Sequence, residues 1–214
     1  IHCDFRQLGA ESGRLSCTKP NLQNIPSDSD FRSCFVASEG NVLVTADYSG
    51  CELRILAELS QDKAFLTAFR RGEDLHSFVA QMLYDKPVSK DMNPKLRDAA
   101  KNLNFGLAYG MGPAKLAHAL RIDEPAAKTL MDQFFTTFPG ITSYLERAGR
   151  DAIQRGYART IGGRIRYFDL DKAAGNRAEE GKIERQGKNT PIQGTNADMT
   201  KLALFRLHQT LPRT

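Results

Sequence analysis

No stretch of the sequence approaches the ~18 consecutive apolar residues that a bilayer-spanning helix needs, so no membrane association is expected. The first residues, Ile1-His2-Cys3-Asp4-Phe5-Arg6, lack the basic-then-apolar layout of a secretory leader, and no methionine opens them. The chain is therefore expected to start inside a longer product. The four cysteines, Cys3, Cys17, Cys34 and Cys51, form no CxxC pair, and His2, His76, His118 and His208 stand in no metal-ligand spacing. A structural zinc is not expected. The cysteines read as free thiols of a reducing cytosol that serve as small core residues. No internal repeat or low-complexity segment is visible.

What remains is ordinary for a globular chain: 214 residues, 41% hydrophobic and 26% charged. That length can bury a real core as one large domain or two small ones. The net charge is +5, and its distribution is uneven. Between Arg147 and Lys188 there are 11 Lys/Arg against 6 Asp/Glu, so this stretch carries the whole surplus. Such a stretch suits a polyanion such as nucleic acid, or simply a solvated charged face.

Turn formers fill the region up to Ser38 (Gly13, Pro20, Asn21, Asn24, Pro26, Ser27, Asp28), which reads as loops and extended segments. The β-branched, apolar run Asn41–Ala46 predicts a buried strand ending at Asp47. Helical spacing follows at Leu53, Leu56, Ala57 and Ser60, then helical patches to Leu83 with a break at Gly72. Asn93-Pro94 looks like a helix start, with the helix running through Tyr109 and stopping near Gly110. Further helices are predicted over Ala114–Leu120, Glu124–Phe138, Thr142–Arg155 and Thr195–Leu211, with Pro139-Gly140 ending the second of these. Two alternating runs, Tyr157–Ile161 and Arg164–Phe168, flank Gly162-Gly163 and predict a hairpin with a two-residue turn. The class is α+β and helix-rich.

Asp47, at the end of an apolar strand and just before a helix, is placed as a hard-oxygen ligand for Mg²⁺ would be; an N-cap or turn aspartate occupies the same kind of position. Arg97, Lys101, Phe105 and Tyr109 stand four apart, each step advancing about 40° around a helix. They form a stripe with two cations at one end and two rings at the other. That stripe suits a triphosphate and a stacked sugar or base, or else is the ordinary face of an amphipathic helix. Glu52 is either an acid favoured by its helix N-terminus or one partner of an acid/base pair with Asp47.

Four blocks carry a resemblance. Asp47-Tyr-Ser-Gly-Cys-Glu52-Leu-Arg-Ile-Leu56 resembles motif A of family A DNA polymerases, and Arg97-Asp-Ala-Ala-Lys101-Asn-Leu-Asn-Phe105-Gly-Leu-Ala-Tyr109-Gly110 resembles motif B. Gly13–Ser16 with Pro20–Pro26 resembles the palm segment before motif A, and Pro191–Thr195 with Ala197-Asp198 resembles the palm helix after the fingers. The resemblance implies a right-hand polymerase fold, with a helix-rich fingers subdomain inserted in a partial antiparallel-sheet palm. It implies palm at 1–60 with motif A, fingers at 61–190 with the motif B helix at 94–110, and the start of a second palm part at 191–214.

It implies roles as well. Asp47 and the Tyr48 carbonyl would hold two Mg²⁺ ions, and Glu52 would exclude a ribose 2′-hydroxyl. Arg97, Lys101 and His76 would reach the triphosphate of an incoming dNTP. Phe105 would lie against the sugar and Tyr109 at the templating position. Arg14, Asn21, Asn24 and Gln193 would touch the primer–template DNA, Arg14, Asn24 and Gln193 from the minor groove, where acceptors are common to every base pair. A cytoplasmic setting in a bacterial or phage-infected cell goes with these expectations.

Two departures stand out. The His-Asp-Glu triplet of motif C has no counterpart, since His208 is followed by Gln209-Thr210. The chain is thus expected to be a piece of a polymerase, without thumb or exonuclease domain, completed by a segment or second chain that carries motif C. Gly50-Cys51 replaces the usual Gln-Ile of motif A, which is expected to loosen packing behind Asp47. The alternatives are a catalytically incomplete fragment that binds primer–template, and a single-subunit RNA polymerase relative, against which Glu52 argues.

Overall fold

The structure is a computed structural model that describes residues 1–26 and 28–211. Ser27, read above as a turn former, and residues 212–214 of the final segment lie outside the described residues. The chain is mostly helical, with two small antiparallel sheets, and divides into two compact units: 1–50 with 197–214, and 51–196.

The first unit holds β1 (Asp4–Arg6) and β2 (Ser16–Thr18), paired with Phe5 opposite Cys17. A 3-10 turn, Leu22–Asn24, is capped by the Asn21 side chain, which accepts from the Gln23 N–H at 3.1 Å. One element was missed in the loop-rich region: α1 (Ser29–Ser33), a single turn capped by Asp28. The predicted strand at 41–46 is not formed. Val42, Leu43 and Val44 are 82%, 61% and 87% exposed. A strand gains its hydrogen bonds only from a neighbour, and among the described residues none pairs with this run.

The second unit is helical. It contains α2 (Cys51–Ser60), α3 (Lys63–Arg70), α4 (Leu75–Tyr84), α5 (Pro94–Ala108), α6 (Pro113–Leu120), α7 (Glu124–Thr137) and α8 (Pro139–Arg155). The starts follow local chemistry. Asp62, Asp74 and Asp123 cap α3, α4 and α7, their carboxylates accepting first-turn N–H groups. Pro94, Pro113 and Pro139 sit in first turns, where the missing N–H costs nothing. Pro139-Gly140 therefore opens α8 rather than merely closing α7. The Gly140 N–H donates to Asp62 at 3.1 Å, and a Cβ there would lie 2.8 Å from the Asp62 Cα. One buried carboxylate thus ties two helix starts together.

The core sits among these helices. Phe65, Phe134 and Phe138 are at most 1% exposed and meet at ring-centroid distances of 4.8–6.4 Å. Gly156, at φ 71°, ends α8. The hairpin of β3 (Tyr157–Arg159) and β4 (Ile165–Tyr167) follows, with Ala158 opposite Arg166. Its turn is wider than the predicted Gly-Gly pair. The Gly163 N–H donates to the Thr160 carbonyl at 3.0 Å, and Gly163 takes φ 90°, a three-residue loop ending in a left-handed glycine.

After α9 (Leu170–Ala173), α10 runs from Arg177 to Thr210, far longer than the predicted 195–211. Gly181, Gly187, Pro191 and Gly194 hid its first half. At Gly187 the reason is packing: a Cβ would stand 2.3 Å from the Ala152 Cβ, so glycine allows α8 and α10 to touch. The cysteines are free, as expected, but they serve as core residues only in part. Cys17 is fully buried, Cys3 and Cys51 are half-buried, and Cys34 is exposed. A cysteine in a loop or one-turn helix has no core to enter.

Candidate active site

The sequence-predicted residues of the second unit gather where α4 and α5 run side by side beside the start of α2. Leu103, Leu107 and Ala100 turn into the core, which leaves the Arg97–Lys101 stripe on the opposite face. Phe105 and Tyr109 are half-buried, neither core residues nor solvated ones, and their rings stack 6.3 Å apart at 24°. The His76 ring lies 5.6 Å from that of Phe105. Lys101 is exposed.

Arg97 is engaged. Its Nε and Nη2 donate to the two carboxylate oxygens of Asp74 at 2.7 and 2.9 Å. Asp74 is itself anchored, accepting from the Ser77 N–H and hydroxyl at 3.0 and 2.6 Å. Burial opposes ionisation of Asp74, but the bonds from Arg97 and Ser77 outweigh it and hold the carboxyl far below its ordinary range. Burial lowers the pKa of His76, and the nearby cations Arg97 and Lys101 reinforce that shift against Asp74. Asn104, 1% exposed, places its amide nitrogen 3.2 Å from His76 Nδ1. With that amide donating, a neutral ring keeps its proton on Nε2, as a donor to an anion.

Glu52 is buried in the first turn of α2. The Tyr109 hydroxyl donates to one of its oxygens, and Asn196 donates to the other at 3.3 Å. Both oxygens are held, which fixes the carboxylate in place. Asp74, Asn104 and Asn196 were missed by sequence reasoning. The signals were weak but present: Asp74 precedes a helix as an N-cap does, and Asn104 stands seven residues after Arg97, on the same stripe.

A cleft of about 820 Å³ opens beside Tyr109, where Gly110 takes φ 68° to end α5. Lys115, Lys182 and Arg185 stand on its wall with Glu124 and Glu184. The basic stretch is partly self-neutralised. Arg155, Lys172, Lys182 and Lys188 pair with acids three or four residues away. Gln193 is half-buried on α10.

The remaining predicted residues belong to the other unit. Asp47 and Tyr48 lie in the irregular segment before α2, Asp47 exposed and Tyr48 51% exposed. Gly50 takes φ 61°, and a Cβ there would meet nothing within 4 Å. Cys51, the next residue, packs against the core. Arg14, Asn21 and Asn24 are exposed. Among the described residues no three His, Cys, Asp or Glu side chains cluster as a metal site.

Comparison with known proteins shows the family. The model of DNA polymerase family A matches residues 1–214, and the chain belongs to that family. It is 43% identical to the DNA polymerase I of Mycobacterium leprae over 220 residues, covering 99% of this chain and 24% of the relative. To the thermostable DNA polymerase I of Thermus filiformis it is 40% identical over 211 residues, covering 97% and 25%. Among solved structures it resembles the POL domain of Pol1 from M. smegmatis in complex with DNA primer-template and dNTP. That match has TM-score 0.88 and 41% identity, and covers 98% of this chain and 37% of that one. The chain thus spans about a quarter of the length of these curated relatives. No helix among the described residues is long and apolar enough to cross a membrane.

Proposed function

We propose that this chain is the nucleotide- and primer–template-binding part of a DNA-directed DNA polymerase that adds dNTPs to a primer 3′-hydroxyl in the bacterial cytoplasm or a phage-infected cell. The observation that carries the reading is the α4–α5 face: cations, an imidazole and two stacked rings along it, with a fixed carboxylate at its end. A triphosphate takes Arg97, Lys101 and the His76 Nε2–H. The sugar lies against Phe105, and the templating base meets Tyr109. Glu52, clamped on both oxygens, has no freedom to move aside for a 2′-hydroxyl. Arg97 and Lys101 stabilise the charge that builds on the leaving pyrophosphate. Arg14, Asn21, Asn24 and Gln193 hold the DNA, and Lys115, Lys182 and Arg185 offer cations to a template strand entering the cleft.

The donors at Asp47 and the Tyr48 carbonyl are hard oxygens, and Mg²⁺ uses one or two carboxylates together with substrate phosphates, so the residues fit that ion. When bound, Mg²⁺ supplies Lewis-acid activation of the hydroxyl and neutralisation of the phosphates. Asp47 is the single carboxylate assigned to it here, so a further one is needed for synthesis, from a segment or second chain with motif C. In subdomain terms, residues 1–60 are palm, 61–190 fingers, and 191–214 the return to the palm.

The test is single-nucleotide extension of a primed template in Mg²⁺, with the chain alone and with an added segment carrying a His-Asp-Glu motif. Extension only after the addition, abolished by Asp47→Ala, is expected. Salt-dependent duplex binding without extension in either case would leave the chain a binding fragment.

A further inference from the structure

Arg97 reaches a ligand with one of its edges already taken. A guanidinium offers two forks to an oxyanion: the Nε–Nη2 edge and the Nη1–Nη2 end. Asp74 occupies the first, with both oxygens engaged. The carboxylate does not swing away freely, because Ser77 grips it twice and it caps α4. An arriving phosphate therefore has two routes. It displaces Asp74 from the first fork, losing a bidentate ion pair, or it takes the second fork beside a fixed negative charge. Both routes weaken binding.

We propose that Asp74 is a built-in competitor for Arg97, a residue that lowers the affinity of the site for every phosphate ligand, the released pyrophosphate included, so that the product leaves. The proposal rests on the reading above, in which Arg97 binds the triphosphate. It makes Asp74 a residue that acts through Arg97 rather than on the substrate. It also predicts a gain on mutation, which damage to the fold cannot imitate.

The experiment is calorimetric titration of the whole chain with inorganic pyrophosphate and with tripolyphosphate, both as metal-free sodium salts. Asp74→Asn and Asp74→Ser both keep an oxygen that caps α4 and remove the charge. Each is expected to tighten both ligands by about tenfold, the scale of one charge-assisted hydrogen bond. In an Arg97→Gln background the same changes should shift affinity by less than about twofold, the signature of coupled neighbours. Unchanged or weaker binding in both Asp74 variants would overturn the proposal. So would a gain that survives intact without Arg97, since it would show general repulsion and not competition. If no variant, nor the wild type, holds either polyphosphate, the triphosphate reading itself fails and this proposal with it.

Discussion

In residues 51–196 the large apolar side chains meet one another, whereas in 1–50 and 197–211 many of them meet water. Phe65 and Phe138 are fully buried, while Val44 is 87% and Phe205 58% exposed. Every residue of both hydrophobic clusters among the described residues comes from 51–196. Composition does not separate the two units, since the run at 42–44 is as apolar as any stretch of the core. For the run at 42–44 the difference lies in how each kind of element closes its hydrogen bonds. A helix satisfies its interior backbone within itself and then needs only one packed face, whereas a strand needs a neighbour before it exists.

Opening the core of the helical unit should have the largest effect. Phe65→Ala removes the ring that touches both Phe134 and Phe138 and should cost about 3–5 kcal/mol in urea-induced unfolding. Asp62→Ala comes next. It loses a cap at α3 and leaves the Gly140 N–H without its acceptor, for about 2–3 kcal/mol by the same measurement.

A smaller effect is expected from pH. Because burial lowers the His76 pKa, the unfolded ring binds a proton near pH 6.5 while the folded ring does not. Its contribution is complete above that pH and declines as acid is added, until the folded ring protonates too. Imidazole NMR titration should find His76 below the ordinary value, and His76→Gln should flatten stability between about pH 6.5 and the folded pKa. The smallest effect belongs to the other unit. Val44→Thr, at a side chain already in water, should change stability by less than about 0.5 kcal/mol.

Most of the helices were legible because their signals are local. Pro94 and apolar spacing place α2 to α8 within a few residues of where they form. The strand at 41–46 was misread because its apolar content says nothing about who pairs with it. The first half of α10 was missed for the opposite reason. Its glycines and proline argue against a helix locally, and only the approach of Ala152 to Gly187 explains one of them. In the site, the stripe on α5 was legible from spacing four. The groups that hold Arg97 and Glu52, Asp74 from α4 and Asn196 from α10, were not, because nothing in the sequence marks which distant side chain meets either one.

The central claim, that the α4–α5 face grips a triphosphate, is tested most directly by titrating a fluorescent dNTP into the chain and into its Lys101→Gln variant. Lys101 is exposed, so the fold should be unaffected. Binding at least about tenfold weaker is expected in the variant, the loss of one charged contact. Equal affinity in the two proteins would contradict it.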